Sequence, residues 1–167
     1  EREAKKANAT AAIAEIFTEW SPLVWDSDLP TAITRLEAAV GAQDDAVRAA
    51  AKRNLALALW RRGWKQMREG RAADAANDFQ RALREPTVLK GTEPVAFELS
   101  HAIALLEANK PADAAKLFKA LAGRGNPATF LKPPYAKLGP QFFATYASFR
   151  TGALPARIAA ATELEKQ

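Results

Sequence analysis

Apolar and small residues recur along this chain with the spacing of one side of an α-helix. The pattern Ala-x-x-x-(Leu/Phe)-x-x-(Ala/Leu) occurs three times, and successive copies begin 43 and 39 residues apart. The copies are Ala32, Leu36 and Ala39; Ala75, Phe79 and Ala82; and Ala114, Phe118 and Leu121. Repetition at such a period is typical of stacked helical hairpins, because one hairpin is too small to bury its own apolar side.

Periodic segments between turn residues predict an all-α protein with about eight helices in four antiparallel hairpins. The predicted helices cover about residues 3–20, 28–41, 44–69 and 72–85, then a segment from Val95 to Leu106, one opening at Pro111, one containing Phe142 to Phe149, and one from Ala156 onward. Glycines and prolines predict an irregular loop at about 123–134. We therefore expect one domain over 1–167, an α-solenoid, and a piece of a longer chain.

The segment from Trp60 to Pro86 resembles a tetratricopeptide repeat. The residues that carry the resemblance are Trp60, Gly63, Gly70, Ala75, Phe79, Ala82 and Pro86, at their spacing in this sequence. Each has a packing role: Gly63 allows the helix carrying Ala75 to approach, and Phe79 fills the seam between the helices. The resemblance implies a superhelix of hairpins and a non-enzymatic scaffold that binds a protein or peptide in its concave groove.

The same resemblance implies that the first helix of each hairpin lines the groove. The candidate groove residues are Leu57, Trp60, Arg61, Trp64, Met67, Arg68, Leu99, Ile103 and Glu107. Family members that clamp a terminal carboxylate carry Lys and Asn where Trp60 and Trp64 stand, so that recognition mode is not expected. The spacing alone also fits another interpretation, in which the tryptophans and Met67 form a core stripe and the arginines a solvated side.

Composition narrows the class of partner. The 167-residue chain is 49% hydrophobic and alanine-rich, with no cysteine, a net charge of +5 and a pI near 9.6. The charge favours an acidic protein or peptide, and the absence of cysteine suits a bacterial protein of either the cytoplasm or the periplasm and cell envelope. No apolar run has the length of a membrane span. We expect a monomer or a weak homo-oligomer associating through Ile13 and Phe17 or Ile158.

The sequence offers little catalytic chemistry. His101 is the sole histidine and lies in an apolar helical stretch, and no phosphate-binding loop is present. We therefore expect no catalytic residue, no metal and no cofactor. Two alternatives to the adaptor stay open. Aromatic residues interleaved with cations from Trp60 to Arg68 would suit a nucleic-acid-binding helical repeat. The segment would also suit an accessory or envelope-associated helical domain of a larger enzyme or machine.

Overall fold

A computed structural model describes residues 28–122, 124, 140–152 and 154–164 of the chain. These residues form seven α-helices, one short 3-10 turn at Pro86–Val88 and no strand, which confirms the all-α class. The helices are α1 (Leu29–Ala39), α2 (Asp45–Arg68), α3 (Ala72–Ala82), α4 (Glu93–Glu107), α5 (Pro111–Leu121), α6 (Pro140–Thr151) and α7 (Leu154–Leu164). The helix predicted over 3–20 and the loop at 123–134, Arg124 apart, lie outside the described residues.

Helix ends follow the capping residues of the sequence. The Oδ1 atoms of Asp28 and Asp44 accept hydrogen bonds from the backbone N–H groups of Thr31 and Val47, at 3.2 and 2.9 Å. These contacts satisfy N–H groups that have no partner within the helix. Helix α3 stops at Ala82, three residues before the predicted end, because proline disfavours a helical conformation in the residue before it.

Two hairpins share one turn geometry. Gly70 between α2 and α3 and Asn109 between α4 and α5 both have positive φ, at 74° and 60°. In each turn the next residue donates a backbone hydrogen bond to a carbonyl five residues earlier, at 2.9 Å for Arg71 and 2.8 Å for Lys110. The turns lie 39 residues apart, which is also the spacing of the second and third copies of the sequence pattern.

The repeated pattern forms the contact between neighbouring helices. All nine of its residues are buried, each with at most 2% of its surface exposed. Helices α2 and α3 approach so closely that a Cβ atom built on Gly63 would lie 2.5 Å from the Phe79 ring. The predicted role of Gly63 in this approach is therefore confirmed, and the atom it makes room for is a ring carbon of Phe79.

The first five helices pack in two layers. Each helix contacts the next one in the chain. Helices α2 and α4 also meet directly, because the Trp60 ring stacks on Phe97 with 5.4 Å between centroids and Arg53 pairs with Glu93 at 2.7 Å. An ion pair between Arg81 and Glu37 joins α3 to α1 in the other layer. Helices α1, α3 and α5 thus line one side of the molecule, and α2 and α4 lie beneath them.

Candidate partner-binding surfaces

The tryptophans of the predicted groove belong to the interior. Trp64 is 3% exposed and its ring contacts Phe79 edge-on, with 5.7 Å between centroids. Trp60 is half-buried, and besides stacking on Phe97 it donates a hydrogen bond from Nε1 to the Ser100 hydroxyl at 2.9 Å. Trp64 therefore fits the core-stripe interpretation that its spacing also allows, because its side chain fills the seam between α2 and α3.

Two further groove residues are also core residues. Leu99 and Ile103 have no exposed surface, since both sit where α4 packs against its neighbours. Met67 is half-buried against the same cluster, and Leu57 is half-buried against the cluster around α1. The resemblance assigns these residues to the groove, but their spacing is also that of an apolar core stripe, so sequence alone could not separate the two roles.

The charged members of the predicted groove occupy varied positions. Arg61 is half-buried on α2, whereas Arg68 and Glu107 are exposed near the C-terminal ends of α2 and α4. Exposed Lys65 lies on the same side of α2 as Arg68. Both residues point away from α3, because they follow Gly63 by two and five positions at about 100° per residue. This side of α2 remains accessible to a partner and is polar.

A network of charges crosses the gap between α1 and α3. Arg62 donates hydrogen bonds to both carboxylate oxygens of Asp78, from Nε at 2.6 Å and from an Nη at 2.7 Å. Arg81 lies 3.7 Å from the same carboxylate and pairs with Glu37 of α1. The Asp78 side chain is only 5% exposed, and its hydrogen bonds raise the pKa of Arg62 further above its ordinary value. One ion pair, Arg81 with Glu37, thus crosses from α3 to α1, while Arg62 of α2 and Asp78 of α3 pair beside it. We call this space, lined by four charged residues, the bridged gap.

The equivalent space between α3 and α5 contains no such network. It is a cleft of about 380 Å³ with α4 as its floor and Ala76, Leu105 and Leu117 as apolar lining. Asn77 and Gln80 of α3 line one wall, and their side-chain amides make no hydrogen bond to any described residue. We call this space the open cleft. Its volume lies within the range usual for ligand-binding pockets.

The repeat explains why one gap is crossed and the other is open. In the register of the repeated pattern, Arg62, Asp78 and Arg81 correspond to His101, Leu117 and Ala120, each 39 residues later. Glu37 corresponds to Gln80, 43 residues later. All four charged residues of the bridged gap are therefore replaced by residues that form no ion pair, while the surrounding alanines and phenylalanines are retained.

His101 of α4 lies in the floor of the open cleft and is half-buried. Burial lowers the pKa of its imidazole below the ordinary value, because the charged form is poorly solvated there. The ionisable groups that line the same cleft are Lys110, Asp113 and Lys116. His101 is therefore neutral at pH 7, with an imidazole that can both donate and accept hydrogen bonds.

Lysines dominate the charge around α5. Lys110 caps the helix, and Lys116 and Lys119 follow one turn apart, whereas Asp113 is the sole acid of the helix. Asp113 pairs with Lys116 at 3.3 Å on the surface. Lys116 and Lys119 also line a second depression of about 460 Å³ between α5 and α6. None of these residues was a sequence candidate, because Asn77 and Gln80, one turn apart opposite the buried stripe of α3, look in the sequence like ordinary exposed residues of a helix.

The part of the chain that the structure describes holds neither of two further kinds of feature, metal-binding clusters and membrane-spanning helices. No three His, Cys, Asp or Glu residues there are arranged to hold a metal ion. None of the described helices combines the length and the apolar character needed to cross a bilayer.

The chain matches no family model, no curated protein and no solved structure.

Proposed function

We propose that this chain is a non-enzymatic scaffold that binds a protein or peptide, built as a tetratricopeptide-like stack of helical hairpins. Such stacks are elongated and present grooves between successive units, because each unit packs only against its neighbours. The proposal retains the adaptor function expected from the sequence. It no longer rests on a groove lined by Trp64, Leu99 and Ile103.

One observation carries the proposal: the α2/α3 and α4/α5 hairpins repeat the same contacts 39 residues apart. The turns at Gly70 and Asn109 share a positive φ, and Ala75 and Phe79 are replaced by buried Ala114 and Phe118. What repeats is therefore a set of buried positions and a turn, which we call the packing frame, and some of its residues differ, as Trp64 and Ile103 do. The charged residues that are replaced lie in the gaps between units. This distribution is that of a repeat scaffold whose surface is adapted to a partner.

A second observation favours a protein over a nucleic acid. Binding of single-stranded nucleic acid requires aromatic rings on which bases can stack. In the aromatic and basic segment of α2, Trp64 is buried and one face of the half-buried Trp60 ring is covered by Phe97, which leaves little aromatic surface for bases. One of its arginines, Arg62, is bound to Asp78.

Affinity capture followed by reconstitution tests the proposed function. The purified chain would be used to capture partners with and without nuclease, and a captured protein would then be purified and titrated against the chain by calorimetry. We expect a saturable binary complex that survives nuclease treatment. Capture that disappears with nuclease, together with tight binding of single-stranded nucleic acid that is lost as salt rises, would contradict the proposal in favour of nucleic-acid binding.

A further inference from the structure

The open cleft differs from the bridged gap in size and in what crosses it: Arg81 of the bridged gap also lines a cavity between α1, α2 and α3, but that cavity is only about 190 Å³. No hydrogen bond or ion pair between described residues joins α3 to α5 across the cleft, whereas Arg81 and Glu37 join α1 to α3. Both gaps are built on the same packing frame. The side chains that line the two gaps differ, as the register of the repeat shows.

The amides of the cleft match an extended peptide backbone. Asn77 and Gln80 are both exposed on α3, and positions three residues apart are neighbours on one side of a helix. A carboxamide offers one acceptor and two donors, which are the groups that an extended backbone can pair with through its N–H and C=O. The apolar lining from Ala76, Leu105 and Leu117 suits the aliphatic side chains of such a segment.

The charge of the cleft specifies an acidic segment. Lys110 and Lys116 lie on the wall opposite the amides, and Lys119 continues the row beyond the cleft. Among described residues, Lys110 and Lys119 make no ion pair, and the pair between Lys116 and Asp113 is exposed and therefore weak. Carboxylates of a bound segment would gain partners here without displacing a buried ion pair.

We propose that the open cleft binds an extended acidic segment of a protein partner, with Asn77 and Gln80 pairing with its backbone and Lys110 and Lys116 with its carboxylates. This inference rests on the proposed scaffold function and names its binding surface. The partner is identified by chemistry: acidic residues alternating with aliphatic ones in a strand-like conformation.

An NMR titration of the full chain tests the site. The probe is a short fluorescein-labelled peptide of repeated Ser-Asp-Leu-Glu, compared with one of repeated Ser-Lys-Leu-Lys. We expect the acidic peptide alone to shift the side-chain amide signals of Asn77 and Gln80, with saturation. Equal shifts from the basic peptide, or no saturable shift of these signals, would overturn the inference.

Matched charge-reversal variants locate the surface. Lys110→Glu with Lys116→Glu should raise the Kd of the acidic peptide, followed by anisotropy, about tenfold or more. Lys65→Glu with Arg68→Glu makes the same change in net charge on the opposite side of α2 and should change the Kd less than about twofold. The reverse order of effects would show that the partner binds along α2, which overturns the cleft site and leaves the scaffold function standing.

A nucleic-acid control separates the two levels of the proposal. A single-stranded thymidine oligonucleotide should bind more weakly than the acidic peptide. Tighter binding of the oligonucleotide would overturn both the cleft inference and the protein-binding function. If a captured partner forms a binary complex that the Lys110 and Lys116 reversals leave unchanged, the cleft inference alone fails.

Discussion

The bridged gap and the open cleft share one packing frame and differ in the side chains that line them. In both, an alanine and a phenylalanine of one wall are buried: Ala75 and Phe79 in α3, and Ala114 and Phe118 in α5. The turn before each of these helices has a residue with positive φ. The bridged gap holds Arg62 and Asp78 in a bidentate ion pair, and the open cleft has His101 and Leu117 in the corresponding places. Burial thus constrains the residues of the packing frame, whereas the side chains that line the gaps vary. They form an ion pair across one gap and none between described residues across the other.

The largest effect is expected where both hairpins share the frame. Trp64 and Ile103 occupy corresponding buried positions, 39 residues apart. Trp64→Ala should lower the free energy of unfolding by about 3–5 kcal/mol, and Ile103→Ala by about 2–5 kcal/mol, because each leaves a cavity. Arg68→Ala on the exposed side of α2 is the control and should change it by less than about 0.5 kcal/mol. Urea denaturation followed by circular dichroism measures these values, and a small effect of Trp64→Ala would show that its ring is not in the core.

The charge network should make one gap far more sensitive than the other. Asp78→Ala leaves Arg62 without its carboxylate and should cost about 3 kcal/mol, whereas Leu117→Ala in the open cleft should cost about 1 kcal/mol. Replacing both charged residues, Arg62→Met with Asp78→Leu, should recover much of the loss, because no uncompensated charge remains. Equal costs of Asp78→Ala and Leu117→Ala in denaturant titrations would remove the distinction between the two gaps.

Alanine substitution at Gly63 tests how closely α2 and α3 approach in the packing frame. Gly63→Ala should cost about 1–3 kcal/mol through overpacking against Phe79 and regain roughly 1 kcal/mol because alanine is the better helix former, a net destabilisation of up to about 2 kcal/mol. At Gly41, a built Cβ meets its nearest atom at 3.5 Å, so Gly41→Ala should be nearly neutral. A higher melting temperature for Gly63→Ala would mean that the contact with Phe79 is looser than described.

The smallest effect concerns pH. The pKa of His101 is lowered by burial in the fold, so the folded chain binds its proton less readily than the unfolded chain. Stability due to His101 is therefore full above the ordinary pKa of histidine, about 6.5, and is lost as the pH falls through that value toward the lower pKa of the folded state. His101→Gln should remove this slope, by less than about 1 kcal/mol between pH 7.5 and 5.5. Identical pH profiles of melting temperature for the two proteins would contradict it.

Sequence reasoning succeeded where local chemistry decides the outcome. The helix starts near residues 28 and 44, the break between residues 69 and 72 and the close approach at Gly63 follow from residue types with few alternatives. It failed for the groove, because a stripe of apolar residues at helical spacing reads the same whether it faces a partner or a core. Trp64 shows this most clearly.

The open cleft could not be foreseen from single residues. Asn77, Gln80 and Lys116 are ordinary surface residues until α3 and α5 are placed on the two sides of α4. What identifies the cleft is the loss of the Arg62, Asp78, Arg81 and Glu37 network at the next repeat. That comparison requires the contacts of the first gap to be known.

The most direct test is to close the open cleft with the residues of the bridged gap. The closed variant combines His101→Arg, Leu117→Asp, Ala120→Arg and Gln80→Glu, which place all four charged residues of the bridged gap, including the pair of Arg81 and Glu37 that crosses it, at the corresponding positions of the cleft. His101→Gln is the control. The measurement is the Kd of the acidic peptide by anisotropy, on proteins whose circular dichroism spectra match. The Kd of the acidic peptide should rise about tenfold or more for the closed variant and stay within about threefold for His101→Gln. Unchanged peptide binding by the folded closed variant would contradict the claim that this gap is open to receive a partner.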